Sequence, residues 1–310
     1  MPVVIAYQSL NSNCSSTHGV MASAHQRFTD QTHDHYSSSY TKPSALVLPT
    51  AGGTYNSLPV QGPAQLVPFA PEGTMDKSNR DGSEFFNMVS GKFAQLHQNM
   101  FREFSRSYDL LVVGELDGSH PDWHKLQNST GSFLHASSPS RTCNCFTVYG
   151  SKPINNVVGE GNGWIAVQCS NVVVVFVHVP NSVAKNQTDS RAFYHSIWSQ
   201  LAPEGKRIDI IMGDTNQPSD AFTSTVVSKA LNTTFADAPV GGSLGVMDFH
   251  GIKNIQGTNS NAKSRYDILV YNTSTIKSVK LKYISQFSPT GGNVSAVTDH
   301  MGMAAEVERI

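Results

Sequence analysis

Apolar positions along the chain follow two patterns. The first is helical. Phe85, Val89, Phe93, Leu96, Met100 and Phe104 recur every three or four residues and define one face of a helix over residues 83–107. Asp81 and Glu84 have the spacing of a capping box at its start. A second helix is predicted over about 189–201, with Phe193, Ile197 and Leu201 on one face and Asp189 or Ser190 as its cap. The second pattern is the short, nearly unbroken apolar run, which marks a strand buried on both faces. Residues 109–114, Asp-Leu-Leu-Val-Val-Gly, form such a run directly after the first helix. Further strands are predicted at Phe146–Tyr149, Trp164–Gln168, Val172–Val179, Arg207–Met212, Tyr266–Tyr271, Val279–Ile284 and Met303–Val307. Many strands and few helices predict an α/β protein in which two sheets pack together with helices outside.

Residues 1–80 have a different texture. Val3–Tyr7 and Ala45–Leu48 read as strands. Between them lies a polar segment with His18, His25, His33 and His35. No Cys or carboxylate array accompanies these histidines, so a polar loop is expected rather than a metal site. From Ala51 to Arg80, Gly and Pro recur too often for a helix. The expected organisation is an N-terminal segment (1–80) that carries the first strands and a loop insertion, joined in one domain to a core (81–310).

Composition narrows the function. With 310 residues, 39% of them hydrophobic, the chain can bury a large core. Lys and Arg number 22 against 23 Asp and Glu, for a net charge of −1. That balance excludes an overall basic coat but leaves room for a local patch, for which Arg102, Arg106, Arg141, Lys152 and Lys185 are candidates. No run approaches the roughly 18 apolar residues of a membrane span. No basic segment precedes the apolar start, so a standard secretory signal is not expected, and the protein would be cytoplasmic or exported by a signal-independent route. Four cysteines without a CxxC pair disfavour structural zinc, and Cys143 and Cys145 are expected to be buried.

The polar residues that end the apolar runs carry the chemistry. Glu115 follows the run at 110–114, and His178 follows Val172–Val177. The strand at 207–212 leads into Gly213-Asp214-Thr215-Asn216. Asp267 opens the strand at 266–271, and Asp299-His300 precedes the last one. Strand ends gather at one rim of a sheet, so carboxylates, histidines and amides could meet in one pocket. Each feature also has an ordinary structural role: Glu115 as a turn cap, His178 as a core histidine, the 213–216 segment as an Asx-turn, Asp267 as a surface partner of Arg265 or Lys263. Their joint occurrence in this order points to a hard divalent cation held by oxygen ligands, with histidines as acid, base or phosphate donor.

In this order the segments DLLVVGE (109–115), VVFVHVPN (174–181), IDIIMGDTN (208–216), SRYDILVYN (264–272) and VTDHMGM (297–303) resemble the endonuclease/exonuclease/phosphatase superfamily, which includes deoxyribonuclease I-like enzymes. The resemblance runs from about residue 83 to the C-terminus. It implies a four-layer α/β sandwich of two packed mixed sheets flanked by helices. By resemblance, Glu115 is the principal metal carboxylate and Asp299 a second one. His178 contacts the scissile phosphate, and Asp214 orients or deprotonates the attacking water. Asn216 holds a phosphate oxygen or the metal, Asp267 pairs with His178, and Asp299 also orients His300. His300 donates to the phosphate. The implied cofactor is Mg²⁺, with Mn²⁺ or Ca²⁺ as alternatives, and the implied partner is nucleic acid, DNA foremost; no obligate protein partner is implied.

Two departures from the family pattern stand out. The family's first strand ends in Asn. If Val3–Tyr7 is that strand, Gln8 or Asn11 takes the place; if Ala45–Leu48 is, Pro49 does. Asn162 stands where toxin-type nucleases of the family carry an Arg. These departures leave open a phosphoinositide or sphingomyelin phosphohydrolase, and a silent binding domain on the same scaffold.

Overall fold

A computed structural model describes residues 2–9, 45–49, 55–59, 108–116, 132–136, 145–150, 155–239, 265–284, 287–290, 293–296 and 302–310. The helix expected over 83–107 and its capping box, the histidine-bearing loop, Cys143, Asp299 and His300 lie outside these residues.

In chain order the strands are β1 (Val3–Ser9), β2 (Ala45–Pro49), β3 (Tyr55–Pro59), β4 (Leu110–Leu116), β5 (Ser132–Ala136), β6 (Cys145–Gly150), β7 (Asn155–Gly161), β8 (Trp164–Cys169), β9 (Val172–His178), β10 (Ile210–Asp214), β11 (Phe235–Asp237), β12 (Asp267–Asn272), β13 (Ile276–Ile284), β14 (Phe287–Thr290), β15 (Asn293–Ala296) and β16 (Gly302–Arg309). Helix α1 spans Gln187–Leu201 and α2 spans Phe222–Leu231. Among the described residues, two six-stranded sheets form, in the orders β13-β16-β1-β4-β6-β5 and β11-β12-β10-β9-β8-β7. Each is mixed. The central pairs β1–β4 and β9–β10 are parallel, and the other neighbours are antiparallel.

The apolar runs are continuous because both faces of the central strands are covered. In β9, Val172, Val174 and Phe176 join the core between the sheets, while Val175 and Val177 join a second core with Tyr194, Ile197 and Leu201 of α1 and Val226 and Val227 of α2. Helix, sheet, sheet is therefore an α/β sandwich, as expected. Three of the four expected layers fall within the described residues.

The two parallel pairs share one local design. In the first sheet, Val4 N donates to Asp109 Oδ2 at 2.8 Å and Asp109 N donates back to Val4 O at 2.8 Å. In the second, Val173 N donates to Asp209 Oδ2 at 2.9 Å and Asp209 N to Val173 O at 3.0 Å. Each Asp locks the start of a buried strand that ends in Gly followed by an acid, Gly114-Glu115 or Gly213-Asp214. This correspondence is hard to see in the sequence, because the shared residues are few.

Several boundaries differ from expectation. Strand β1 runs two residues past Tyr7, because β4 pairs with it as far as Ser9, whereas the pairing with β16 ends at Tyr7. The Ala45–Leu48 run pairs with Tyr55–Pro59 as a separate hairpin, so Pro49 does not end the first strand of the main sheet. Arg207 precedes β10, since Asp209 makes the locking bonds. Helix α1 is capped by neither Asp189 nor Ser190. Asn186 Oδ1 accepts from Thr188 N at 2.8 Å and Asp189 N at 3.3 Å, so the cap that satisfies the first-turn donors lies three residues before Asp189. Strands β5 and β7 escaped the sequence reading because they are edge strands with polar or glycine-rich sequences.

Gly213 and Gly205 separate steric from conformational cost. Both have positive φ, 143° and 68°. A methyl on Gly213 would run into the Val177 carbonyl oxygen, whereas one on Gly205 meets nothing within 4 Å. In denaturant titrations Gly205→Ala should cost about 1 kcal/mol, and Gly213→Ala about 3 kcal/mol or more.

Candidate active site

Strand register brings three of the expected residues together. His178 of β9 is paired with Asp214 of β10, and Asp214 with Asp267 of β12. Side chains alternate across a sheet, so the parity of each strand decides which face these residues take. Phe176, Met212 and Leu269, each two residues away on its strand, belong to the core between the sheets. His178, Asp214 and Asp267 therefore point into the same inter-sheet layer, at the end where apolar residues give way to polar ones.

The facing sheet supplies Glu115. The β4–β6 register breaks between Val113 and Leu116, and Glu115 takes φ 56°, an uncommon backbone state for a residue with a side chain. The irregularity re-aims the carboxylate at the strand end. Ser9, at the end of β1 and opposite Gly114, donates its hydroxyl to Glu115 Oε2. Ser9 thus takes the first-strand position for which Gln8 and Asn11 were the candidates. Gln8 faces the other way, and its Nε2 donates to Ser9 O at 2.7 Å. Asn11 lies outside the described residues. The signal for Ser9 is its period-two relation to Tyr7, visible only once β1 is known to extend that far.

Within the second sheet, His178 Nε2 lies 3.7 Å from Asp214 Oδ2. That is ion-pair range but long for a hydrogen bond. The resemblance assigns Asp267 to His178, whereas the structure puts β10 between β9 and β12. Two strand spacings separate their backbones by roughly 10 Å, so the carboxylate beside His178 is Asp214. Asp267 is fully buried. His178 Nδ1 is also buried and has no hydrogen-bond partner among the described residues.

Asn216 is bonded within the protein. Its backbone N donates to Asp214 Oδ1 at 3.0 Å, the Asx-turn that the Gly-Asp-Thr-Asn spacing also allowed. Its Nδ2 donates to Val179 O at 2.9 Å. Its φ of 48° is the left-handed state that Asn tolerates better than most residues. In this structure Asn216 orients Asp214 and ties the exits of β9 and β10 together. Gln217, missed in the sequence, ties the same loop outward: Nε2 donates to Arg265 O at 3.0 Å, and Oε1 accepts from Thr223 N at 3.3 Å.

Tyr7, also missed, lies between the two halves. It is fully buried, with its ring stacked on Phe176 at 6.1 Å. Burial pushes its phenol well above the usual range, and the charges of Asp214, Asp267 and Glu115 push the same way. The phenol is therefore neutral, and the three carboxylates act on one point although they come from both sheets.

Asn162 sits in the turn between β7 and β8, exposed at the rim. The adjacent Gly163 carbonyl accepts from His178 N at 2.9 Å, so this position borders the histidine. Among the described residues, no three His, Cys, Asp or Glu side chains are close enough to hold a metal ion. The donors at the Glu115 corner, a carboxylate and the Ser9 hydroxyl, are nevertheless all oxygen, which suits a hard cation such as Mg²⁺. Cys145 and Cys169 are buried in the inter-sheet core, as expected for Cys145. No described helix is long and apolar enough to cross a membrane.

No protein-family model matches the chain, and no curated protein matches it. Solved structures do, among them endonuclease/exonuclease/phosphatase-fold proteins. A mannosyl-6-phosphatase of Bacteroides thetaiotaomicron is similar at 14% identity and TM-score 0.47, over 74% of this chain and 96% of that one. The endonuclease domain of TRAS1, a telomere-specific non-LTR retrotransposon, is similar at 10% identity and TM-score 0.45, over 99% of each chain. A 3'-5' exonuclease of Neisseria meningitidis is similar at 15% identity and TM-score 0.45, over 72% of this chain and 96% of that one.

Two measurements check this geometry. Asn216→Ala leaves the Val179 carbonyl without its partner and puts Ala in a left-handed state, so it should cost about 1–3 kcal/mol in chemical unfolding. Burial pushes the Cys169 thiol up to about 12. A thiolate-selective reagent at pH 8 should therefore label it only as fast as the protein unfolds, and faster labelling in the native state would contradict its placement.

Proposed function

We propose that this protein is a divalent-cation-dependent phosphodiesterase, and within that class a DNA endonuclease. The observation that carries the reading is the common register of His178, Asp214 and Asp267, facing Glu115 and Ser9 across the mouth of the inter-sheet core. An apolar core that ends in one histidine and three carboxylates is a poor choice for stability alone, since buried charges are costly to desolvate. It is a good choice for a reaction in which a phosphate must be gripped and a water deprotonated.

In this reading Glu115 holds Mg²⁺, with Asp299 as the second carboxylate, and Mn²⁺ or Ca²⁺ as substitutes. The bound ion supplies charge neutralisation at the phosphate. Asp214, held by the Asn216 turn, orients the attacking water and accepts its proton as the bond from phosphorus to the leaving oxygen breaks. His178, beside Asp214, donates to a non-bridging phosphate oxygen, where charge accumulates in the transition state. His300, by the resemblance, donates to the same phosphate. Asp267 lies beside Asp214 on the next strand and belongs to the same polar end of the sheet. The Ser9 hydroxyl fixes the Glu115 carboxylate.

Incubation of the purified protein with supercoiled plasmid and Mg²⁺ should give nicked circles, and chelator should stop the reaction. Parallel assays with sphingomyelin and phosphoinositides test the alternative substrates on the same groups. Glu115→Gln should lose about 10² or more in rate, and His178→Ala about 10²–10⁴, with melting temperatures near that of the unaltered protein. A His178→Ala protein that melts much earlier yet turns over normally per folded molecule would mean that His178 is a core residue and the site lies elsewhere.

A further inference from the structure

Tyr7 has a property that packing alone does not explain. Its hydroxyl is buried and makes no regular hydrogen bond among the described residues, with only the Asp214 backbone near enough to act on it. A buried hydroxyl left so costs about 1–3 kcal/mol, and Phe would avoid that cost. What the hydroxyl does have is a tight seat. A side chain on Gly114 would place its Cβ 2.5 Å from Tyr7 Oη, 3.0 Å from its Cε2 and 3.1 Å from Phe146 Cε1. The phenol therefore fills the space that a residue other than Gly at 114 would occupy. Gly114 is the residue directly before Glu115, at the irregularity that aims its carboxylate. On the other side, the Tyr7 ring stacks on Phe176, two residues before His178 on the same face of β9. Two residues along β1, Ser9 holds the Glu115 carboxylate itself.

We propose that Tyr7 is a positioning residue that sets the distance between Glu115 on one sheet and the His178–Asp214 pair on the other, by wedging its hydroxyl against Gly114 and its ring against Phe176. The proposal rests on the phosphodiesterase reading for its kinetic consequences, but not for its geometry. A contact of this kind acts through placement. A displacement of about 1 Å in a reacting group can cost on the order of 10² in rate. Tyr7→Phe removes the wedge and little else, and it also removes a buried polar atom that makes no regular hydrogen bond. It should melt at the same temperature or higher. Its kcat should fall about tenfold or more with KM within threefold, and Mn²⁺ should bind more weakly in calorimetry. Gly114→Ala should be more damaging, because the added methyl and the hydroxyl compete for one space.

The decisive experiment is the double variant. Gly114→Ala made on the Tyr7→Phe background should recover at least tenfold in kcat over Gly114→Ala alone, because the closest clash is gone. Crystal structures of the same variants give a readout independent of activity. The Ser9–Glu115 contact should be broken in Gly114→Ala and regained in the double variant. If Tyr7→Phe keeps full kcat, or if Gly114→Ala costs the same in both backgrounds, Tyr7 is packing only and the proposal falls. If the unaltered protein neither binds Mn²⁺ nor cleaves any phosphodiester, the functional reading falls instead. The crystallographic comparison then still decides whether Tyr7 positions Glu115.

Discussion

The alternation of side chains across two facing sheets is the constraint on which this structure depends. Val172, Val174 and Phe176 of β9 and Ile210 and Met212 of β10 face the other sheet because the parity of each strand puts them there. Apolar area removed from water in that layer is the main driving force that holds the sheets together. The same parity, carried one step further, points His178 and Asp214 into the layer where the apolar residues end. Core and site are therefore one feature. Moving either strand by one residue would turn its core residues and its polar terminal residue to the other face together.

The facing sheet meets this arrangement with an irregular strand end rather than a regular one. The change of register in β4 and the left-handed backbone of Glu115 are local costs, of the kind that persist only where the surroundings over-determine them. Here the surroundings are β1, which pairs with β4 in parallel, lays Tyr7 against Gly114 and reaches Glu115 with the Ser9 hydroxyl. In the second sheet, Asp214 is held by an Asx-turn, and Asn216 spends its amide on the Val179 carbonyl. In both sheets the candidate carboxylate follows a glycine with no room for a side chain, against Tyr7 at Gly114 and against the Val177 backbone at Gly213. The negative charge so concentrated acts on a single buried phenol. Carboxylates from both sheets therefore lie within electrostatic reach of one another's surroundings.

The sequence by itself determined a good deal. The apolar runs located the buried strands at 110–116, 145–150, 172–178 and 267–272 to within a few residues, because burial on both faces demands an unbroken run. It also marked Glu115, His178, Asp214 and Asp267 as the residues on which those runs turn polar. Tertiary structure decided the rest. Ser9 meets Glu115 because β1 pairs with β4 from more than a hundred positions away. Asp214, not Asp267, stands beside His178 because β10 lies between their strands. Asn186 caps α1 because its backbone, extended at that point, leaves Oδ1 facing the first-turn amides. The role of Tyr7 needs both Gly114 and Phe176, which no spacing connects. Parity and burial are properties of a few consecutive residues and can be read along the chain. Register, strand order and close approach are set by segments distant in sequence, and they exist only once those segments have packed.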